Sequence, residues 1–414
     1  MGAKAVTVIG AGINGAASAI WLTRAGFDVT LLDKGKPGMG ASYGNACILA
    51  SCSIAPVTAP GLIAKGPGYL LDPDFPLFLR WSYLPRLMPW LVKYLSHANE
   101  RDTRRIAQGL LPVIGDSVEQ HQALTHGTRA AKWVKPSDYS YVYRDRAAFE
   151  ADAFTWALRR EAGFVPELVE GPAVQEIEPI LAPDQTFMAI NHDHGYILDP
   201  GAYVADLVDI FTEMGGRFIQ TEVRDFDLSG GRISAVLTDQ GRIECDHAVL
   251  AAGVWSKPLM EKLGITVPLE AERGYHIVYK QPTQTPNSPM MLAAGKFVAT
   301  HMAQGVRCAG IVEFGGLTPK KSKAPLRLLR KKVAEILPNM QAAEEEEWLG
   351  YRPAPTDSLP LIGEIGATGV FTAFGHHHVG LTGGAKTGRM VADLIAGTPP
   401  NIDMSVYDPK RFVA

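Results

Sequence analysis

The sequence predicts an α/β protein with a parallel sheet in its first domain and an α+β second domain. An apolar, partly β-branched run, Ala5–Ile9, stops at a glycine loop, and apolar residues at helical spacing follow up to Gly26. The run Phe27–Leu32 is a second strand candidate, which ends at Asp33. Because a helix connects the two strands, they must be parallel. The 414 residues also exceed what a single core usually organises, which favours two domains.

Regular patterns continue along the chain. Strand alternation punctuated by turn residues predicts a three-stranded meander over Thr221–Asp246, and Asp246–Gly253 is typical of a buried strand that ends in glycine. Pro325–Leu337 has the spacing of a basic amphipathic helix, and the acidic run Glu344–Glu347 follows it; we expect both to be solvated faces. A last helix is predicted over Gly384–Ile395.

Two segments lack a simple pattern. Five prolines and three glycines lie between Ala55 and Pro76, a density that regular structure does not tolerate, so this segment is expected to connect domains. The next segment, Phe75–Leu95, is rich in Trp, Leu, Tyr and Pro with cations spaced through it. It fits either a core helix or an interfacial surface.

Composition excludes several classes of protein. With 46% hydrophobic residues and a net charge of -3, the chain is a folded protein without the positive field that nucleic-acid binding requires. Four cysteines without C-x-x-C spacing indicate reduced thiols and a cytoplasmic setting, and no export signal is evident. The uncharged stretch Ala5–Thr23 is interrupted by Gly10, Gly12, Asn14 and Gly15, so a folded strand and helix explain it better than a membrane span.

The motif Gly10-Ala11-Gly12-Ile13-Asn14-Gly15 is the dinucleotide fingerprint G-x-G-x-x-G, placed between a strand and a helix. Its glycines permit a tight turn, close approach of a pyrophosphate and packing of the helix on the strand. Asp33 is placed to accept hydrogen bonds from an adenosine ribose. The fingerprint does not distinguish an FAD site from an NAD site. The alternative to a dinucleotide site is a glycine-rich turn that binds no ligand.

Four further motifs extend the pattern; they are Gly40–Ala46, Ala251–Ser256, Gly350–Pro353 and Gly375–Thr382. With them, most of the chain resembles the FAD-dependent D-amino acid oxidase superfamily, in particular its bacterial D-amino acid dehydrogenase branch. The resemblance implies a Rossmann-type FAD-binding domain (1–62, 199–260 and 346–414). It also implies a substrate domain built on an antiparallel sheet (63–198 and 261–345).

The resemblance also implies which residues contact FAD. They are Gly10, Gly12, Ile13, Asn14, Gly15, Asp33, Lys34, Ser42, Asn45, Ala46, Cys47, Val223, Ala252, Gly253, Trp255, Gly375, His377, His378, Val379, Gly380, Leu381 and Thr382. Cys47 stands where the family commonly has glycine, so it either flanks the flavin or is a buried structural thiol. The last helix would point its N-terminus at the pyrimidine edge of the flavin and stabilise the negative charge that appears there on reduction.

For the substrate, the resemblance implies that Arg352 holds the carboxylate in a bidentate fork, with His378 as a second polar contact. Tyr275 is either a further substrate contact or a packed aromatic. Three adjacent histidines, His376–His378, do not predict a metal site, because successive side chains of an extended loop point apart and no matching ligand spacing accompanies them.

The implied reaction is oxidative deamination of a small amino acid, most simply a D-amino acid. Hydride would pass from Cα to flavin N5, and the imine would hydrolyse to a keto acid and ammonia, with no catalytic acid or base required. An oxygen-using oxidase of the glycine, sarcosine or hydroxyproline type is one alternative. An NAD-dependent dehydrogenase and a non-catalytic dinucleotide-binding protein are others. The electron acceptor is oxygen or a quinone, and Pro76–Leu95 would allow peripheral contact with the inner membrane.

Overall fold

A computed structural model describes residues 3 to 413, except 64, 65, 67, 69–71, 73 and 399. The strands in this part of the chain are β1 (Ala5–Ile9), β2 (Asp28–Asp33), β3 (Ile48–Leu49), β4 (Leu77–Leu79), β5 (Val134–Tyr143), β6 (Glu167–Glu170), β7 (Phe187–Ile197), β8 (Arg217–Gln220), β9 (Val223–Ser229), β10 (Arg232–Thr238), β11 (Gly241–Glu244), β12 (His247–Leu250), β13 (Leu269–Lys280), β14 (Met290–Leu292), β15 (Phe297–Met302), β16 (Gly305–Phe314), β17 (Glu344–Pro355), β18 (Leu361–Glu364) and β19 (Val370–Phe374).

The α-helices in the same residues are α1 (Ile13–Arg24), α2 (Leu84–Ser96), α3 (Glu100–Ile114), α4 (Ser117–Thr125), α5 (Arg146–Glu150), α6 (Ala153–Glu161), α7 (Ala173–Ile177), α8 (Pro200–Glu213), α9 (Ser256–Lys262), α10 (Lys323–Ile336) and α11 (Gly384–Ile395). Short 3-10 helices cover Trp81–Tyr83, Arg129–Trp133, Gly253–Trp255 and Ser405–Tyr407.

The glycine-rich unit forms the centre of a six-stranded sheet with the order β18-β19-β12-β1-β2-β8. All neighbours in this sheet are parallel except β18 and β19. This confirms the predicted parallel sheet, since β1 pairs with β2 across helix α1 and with β12 on its other side. Buried small residues of α1 and α11 share one apolar core, which draws the two helices together beneath the sheet.

A larger sheet holds ten strands. Its main path is β17-β13-β16-β15-β14-β5-β7-β3, with β4 beside β16 and β6 beside β7. Most neighbours are antiparallel, as predicted, while β14 with β5 and β4 with β16 are parallel. The predicted domain boundary at residue 346 falls inside β17, which pairs along its whole length with β13.

Other predicted elements also form. The meander is the antiparallel sheet β11-β10-β9, and the basic helix is α10, whose Arg330 bonds Glu345 and Glu347 of the acidic run at 2.6 Å each. The four cysteines are buried free thiols.

Part of the segment Ala55–Pro76, including two of its prolines, lies outside the described residues, so its role as a connection stays a prediction. Leu87, Trp90 and Tyr94 of the following helix, α2, are buried, which fits a core helix. Trp81, before α2, and Val92, on it, are 61% and 60% exposed, and contact of this side with a membrane stays a prediction. Within the described residues, no helix has the length and apolar character needed to cross a membrane.

Candidate active site

A cavity of about 870 Å³ lies between the two large sheets. Its walls come from the glycine loop after β1, the segment from Asp33 to Ala46, the end of β12, one side of the larger sheet and the loop before α11. This volume is near the upper end for ligand sites, as expected for a cofactor and a substrate together.

The fingerprint shapes one end of this cavity. A Cβ on Gly15 would lie 1.7 Å from the carbonyl oxygen of Gly10, so only glycine allows α1 to pack this closely on β1. Helix α1 has no side-chain cap at Gly12, and the backbone N–H of Ile13 donates to the Ser42 hydroxyl at 3.0 Å. The N-terminus of α1 therefore lies open at the cavity, which suits a phosphate.

Asp33 and Lys34 lie beside this loop. The Asp33 carboxylate accepts the backbone N–H groups of Ala11 and Gly35 at 2.7 and 2.8 Å, so it fixes the turn while lining the cavity. Lys34 places its ammonium 4.3 Å from the ring centroid of Trp255. The predicted contacts at this end, which are Val223, Ala252, Gly253 and Trp255, all line the cavity.

Asn14 shows that this region is built for a ligand. Its side-chain nitrogen lies 3.3 Å from Nδ1 of His376, and its buried Oδ1 has no hydrogen-bond partner. A buried acceptor without a donor is costly, so an N–H or O–H group of a bound molecule fits here. Flavin nucleotides carry such donors on their polyol chain and ring.

Cys47 is placed away from the cavity, while Ser42, Asn45 and Ala46 line it. The Cys47 thiol is fully buried and contacts the Met302 sulfur at 3.3 Å, and burial raises its pKa to about 11. Its φ of 75° lies in the left-handed region that favours glycine. Of the two alternatives, the geometry matches the buried structural thiol.

The loop before α11 is anchored from several sides. Ser117 donates to the carbonyl of Thr382 at 2.7 Å, and His121 Nε2 lies 2.9 Å from the carbonyl of Leu381. Val379, Gly380, Leu381 and Thr382 all line the cavity, whereas the predicted contact Gly375 does not.

Arg352 reaches the cavity from β17. It stands directly opposite Glu272 in the pairing of β17 with β13, and its Nη1 donates to Glu272 Oε1 at 2.7 Å. A Cβ on Gly274 would lie 2.6 Å from the Arg352 guanidinium carbon, so this glycine makes room for the charged group. Nε and Nη2 of Arg352 have no acceptor among the described residues, and both remain available to a carboxylate.

Glu272 also holds two histidines. Its carboxylate lies 2.8 Å from His377 Nε2 and 3.0 Å from His378 Nε2, and its side chain is only 4% exposed. Burial alone would raise the pKa of Glu272, but His378 and His377 outweigh it and hold that pKa well below its usual range. Burial lowers the pKa of His378 to about 4, against the opposing effect of Glu272.

The expectation that the adjacent histidine side chains point apart is wrong for His377 and His378. His377 has a φ of 50°, so the loop turns, and the two ring centroids lie 4.0 Å apart. With Glu272 they bring three potential ligand atoms within 4.8 Å of one another. Arg352 already places a fixed cation on the same carboxylate, which opposes a metal ion there, and the absence of a metal stays a prediction.

Tyr275 does not line the cavity, so of its two alternatives the geometry matches the packed aromatic and not the substrate contact. Side chains alternate along β13, so Gly274 lines the cavity, Glu272 on the same side bonds Arg352 of the cavity wall, and Tyr275 points to the opposite side. There its hydroxyl donates to Glu313 at 2.7 Å, and the residue is 1% exposed.

Sequence reasoning missed several residues of the site. Glu272 is the most important. Residues two positions apart on a strand face the same side, so Glu272 shares the side of Gly274, and this was the signal that could have found it. Sequence reasoning also missed residues of the cavity wall, including Tyr139, Tyr141, Arg159, Met291 and Trp348.

Comparisons with known proteins agree with this geometry. The family model described as "DAO: FAD dependent oxidoreductase" matches residues 5–394. The chain is 38% identical to a D-amino-acid oxidase of Bradyrhizobium diazoefficiens, with 99% of both chains covered. It is 30% identical to D-amino acid dehydrogenase 2 of Pseudomonas aeruginosa, with both chains covered completely.

Solved structures share the fold. An L-amino acid deaminase of Proteus myxofaciens superimposes with a TM-score of 0.75 at 17% identity, covering 100% of this chain and 94% of the other. A glycine oxidase of Geobacillus kaustophilus gives a TM-score of 0.74 at 19% identity, covering 99% and 100%. Together with the cavity and its fingerprint, these matches confirm the resemblance: the chain belongs to the DAO family of FAD-dependent oxidoreductases.

Proposed function

We propose that this enzyme oxidises the Cα–N bond of a small D-amino acid to an imine, which hydrolyses to a keto acid and ammonia. FAD-dependent oxidative deamination of an amino acid follows from the family and its relatives, and it sets the NAD-dependent alternative aside. The D configuration is part of the proposal, supported by the relatives named as D-amino-acid oxidase and dehydrogenase. The observation that carries the proposal is Arg352, which lines the cavity and has two guanidinium nitrogens without an acceptor among the described residues.

The residues around the cavity fit FAD. We assign the pyrophosphate to the open N-terminus of α1 and Ser42, and the adenosine to the end formed by Asp33, Lys34 and Trp255. The loop Val379–Thr382 and the N-terminus of α11 would meet the pyrimidine edge of the ring. When bound, FAD supplies the two-electron acceptor for a hydride that leaves Cα.

The protein's own part is mainly to position the substrate. Arg352 would bind the carboxylate through Nε and Nη2, because Nη1 is already fixed by Glu272 at 2.7 Å. The uncapped N-terminus of α11 would stabilise negative charge that develops nearby, since its N–H groups are unpaired by side chains. His378, at the cavity wall, completes the polar contacts.

A visible spectrum tests the proposal. Purified enzyme should be yellow, and anaerobic addition of D-alanine or another small D-amino acid should bleach the flavin, while the L enantiomers should not. Bleaching by glycine or sarcosine alone would favour the amine-oxidase alternative. A flavin that no amino acid reduces would favour a non-catalytic protein.

We further propose that the electrons pass to a quinone at a membrane surface. The outward side of the segment before and along α2 presents Trp81, Met88 and Val92 with the cations Arg86 and Lys93. Arg80 also bonds the backbone of Lys320 and the Ser322 hydroxyl, which brings a lysine-rich loop to this face. Apolar and basic groups together suit an anionic bilayer surface. Oxygen is the second candidate acceptor, favoured by the relative named an oxidase.

A further inference from the structure

The contact between Glu272 and His378 determines which nitrogen of the His378 imidazole carries the proton. His378 Nε2 lies 3.0 Å from Glu272 Oε1, and an ionised carboxylate can only accept a hydrogen bond. An unprotonated Nε2 at this distance would set its lone pair against the negative carboxylate, so the neutral ring carries its proton on Nε2 and Nδ1 is left with a free lone pair. Among the described residues Nδ1 has no hydrogen-bond partner, and the side chain is 37% exposed at the cavity wall.

We propose that His378 accepts the proton of the substrate's α-ammonium group at Nδ1, and that Glu272 is the positioning residue that fixes the required tautomer. This inference rests on the proposed function, because it requires an amino acid whose carboxylate is held by Arg352. Arg352 and His378 both contact Oε1 of Glu272, so a single carboxylate sets the positions of both groups.

The step balances without another reactant. The N–H bond of the ammonium breaks, its electron pair stays on the substrate nitrogen, and the proton forms an Nδ1–H bond. The resulting imidazolium is stabilised by the Glu272 charge. The neutral amine is the form from which a Cα hydrogen can leave as hydride, and the exposed edge of His378 can return the proton to solvent.

A bound substrate carboxylate would make His378 a stronger base than it is in the empty site. The charged and titratable groups that face His378 are Glu272 on β13, Arg352 on β17 and His377 on its own loop. Desolvation at the cavity wall, His377 and Arg352 together lower the pKa of His378 to about 4 against the opposing effect of Glu272, so the ring is neutral before substrate binds. A substrate carboxylate on Arg352 would counter that cation and raise the pKa of His378.

His377 does not fit the same role. Its Nε2 also contacts Glu272, at 2.8 Å, but its side chain is only 5% exposed and its ring meets the Tyr94 ring edge-on. It therefore acts as a second donor that holds Glu272 in place.

The first experiment measures anaerobic flavin reduction by D-alanine across pH. His378→Ala should lower the rate constant by about 100-fold or more at pH 7, as for loss of a general base. The defect should shrink as pH rises, because the substrate amine then arrives without its proton, and added imidazole should restore part of the rate. A defect that is equal at every pH and is not restored by imidazole would overturn the proposal.

A second measurement separates the amine from the carboxylate. Propionate, which lacks the amine, can be titrated against the flavin spectrum of the holoenzyme. His378→Ala should leave propionate binding within about twofold, whereas Arg352→Lys should weaken it. Loss of propionate binding in His378→Ala would assign His378 to the carboxylate and refute the proposal.

Two further variants complete the test. His378→Gln, which retains length and polarity, replaces His378→Ala if that variant fails to hold flavin. Glu272→Gln should also slow reduction and alter its pH dependence, because an amide no longer imposes one tautomer. If no D-amino acid reduces the wild-type flavin, the proposed function is wrong. If the wild-type flavin is reduced and the His378 and Glu272 variants are reduced at the same rate, only the inference about His378 is wrong.

Discussion

At the scale of single residues, the site depends on the Arg352 guanidinium, which uses only one of its nitrogens for a hydrogen bond within the protein. One terminal nitrogen of Arg352 is fixed by Glu272 at 2.7 Å, and two nitrogens remain for a ligand. The fixed nitrogen limits the rotamers of the side chain, so less entropy is lost when a carboxylate binds. Gly274 contributes by leaving the space that the guanidinium occupies.

Arg352→Ala should therefore lower kcat/KM for a D-amino acid by about 10- to 150-fold, since a charge-assisted hydrogen bond is worth roughly 1.5 to 3 kcal/mol. Arg352→Lys should recover only part of this loss, because it keeps the charge but not the fork. Flavin content, measured by absorbance, should stay unchanged in both variants. Unaltered kinetics in both would remove Arg352 from the site.

Gly12→Val should lower flavin occupancy. A Cβ at Gly12 would already lie 3.2 Å from the Ser42 hydroxyl, and the two methyl groups of valine would extend into the region assigned to the pyrophosphate. The ratio of flavin to protein absorbance after purification measures the effect, and circular dichroism serves as the folding control. Full flavin content in a folded Gly12→Val variant would contradict the assignment.

At the scale of elements, local patterns predicted local structure. The strand, glycine loop and helix that begin the chain are encoded within its first 33 residues. The meander was predicted from strand alternation with turn residues between the strands. The loop at His377 was misjudged because a non-glycine residue in the left-handed region breaks the extended pattern.

Long-range pairing explains what the sequence did not reveal. Glu272 meets Arg352 only because β13 and β17 pair in register across 80 residues, which no short motif reports. Tyr275 was ambiguous for the same reason, since the side of β13 that faces the cavity depends on the neighbouring strands. The family resemblance supplied Arg352 but not the carboxylate that holds it.

The outward side of the segment before and along α2 gives a prediction at the same scale. A Trp81→Ser and Val92→Ser double variant should bind anionic lipid vesicles more weakly than the wild type in a sedimentation assay. High salt should weaken wild-type binding, because Arg86 and Lys93 contribute by charge. Val165→Ser is the matched control, since Val165 is 73% exposed elsewhere.

Turnover assays complete this test. If the face docks on a membrane, a short-chain quinone should support faster turnover than oxygen. A protein that binds vesicles at neither salt concentration and turns over faster with oxygen would be an oxidase without the proposed membrane contact.

At the scale of the whole molecule, two buried neutral histidines connect segments that lie far apart in the chain. His121 Nδ1 accepts from the Tyr203 hydroxyl at 2.8 Å while Nε2 donates to the carbonyl of Leu381. His376 bridges Asn14 and Thr387 in the same manner. Both rings link the loop before α11 to distant helices, and both need to stay neutral to keep these bonds.

These histidines predict how stability depends on pH. Burial lowers the pKa of His121 to about 4 and that of His376 to about 3, against 6.5 for an unperturbed histidine. Below pH 6.5 the unfolded chain therefore binds protons that the folded chain does not, so the free energy of unfolding falls as pH drops from 6.5 toward 4. Each histidine contributes a limiting slope of about 1.4 kcal/mol per pH unit.

The measurement is the urea midpoint between pH 7.5 and 5, with saturating FAD throughout. His121→Gln should shrink the loss of stability on acidification, although it lowers stability overall by disturbing a buried network. His192→Gln is the control, because Asp138 and Glu167 raise the pKa of exposed His192, and its contribution is lost as pH rises instead. An equal acid-induced loss in His121→Gln and the wild type would show that His121 titrates normally in the folded protein.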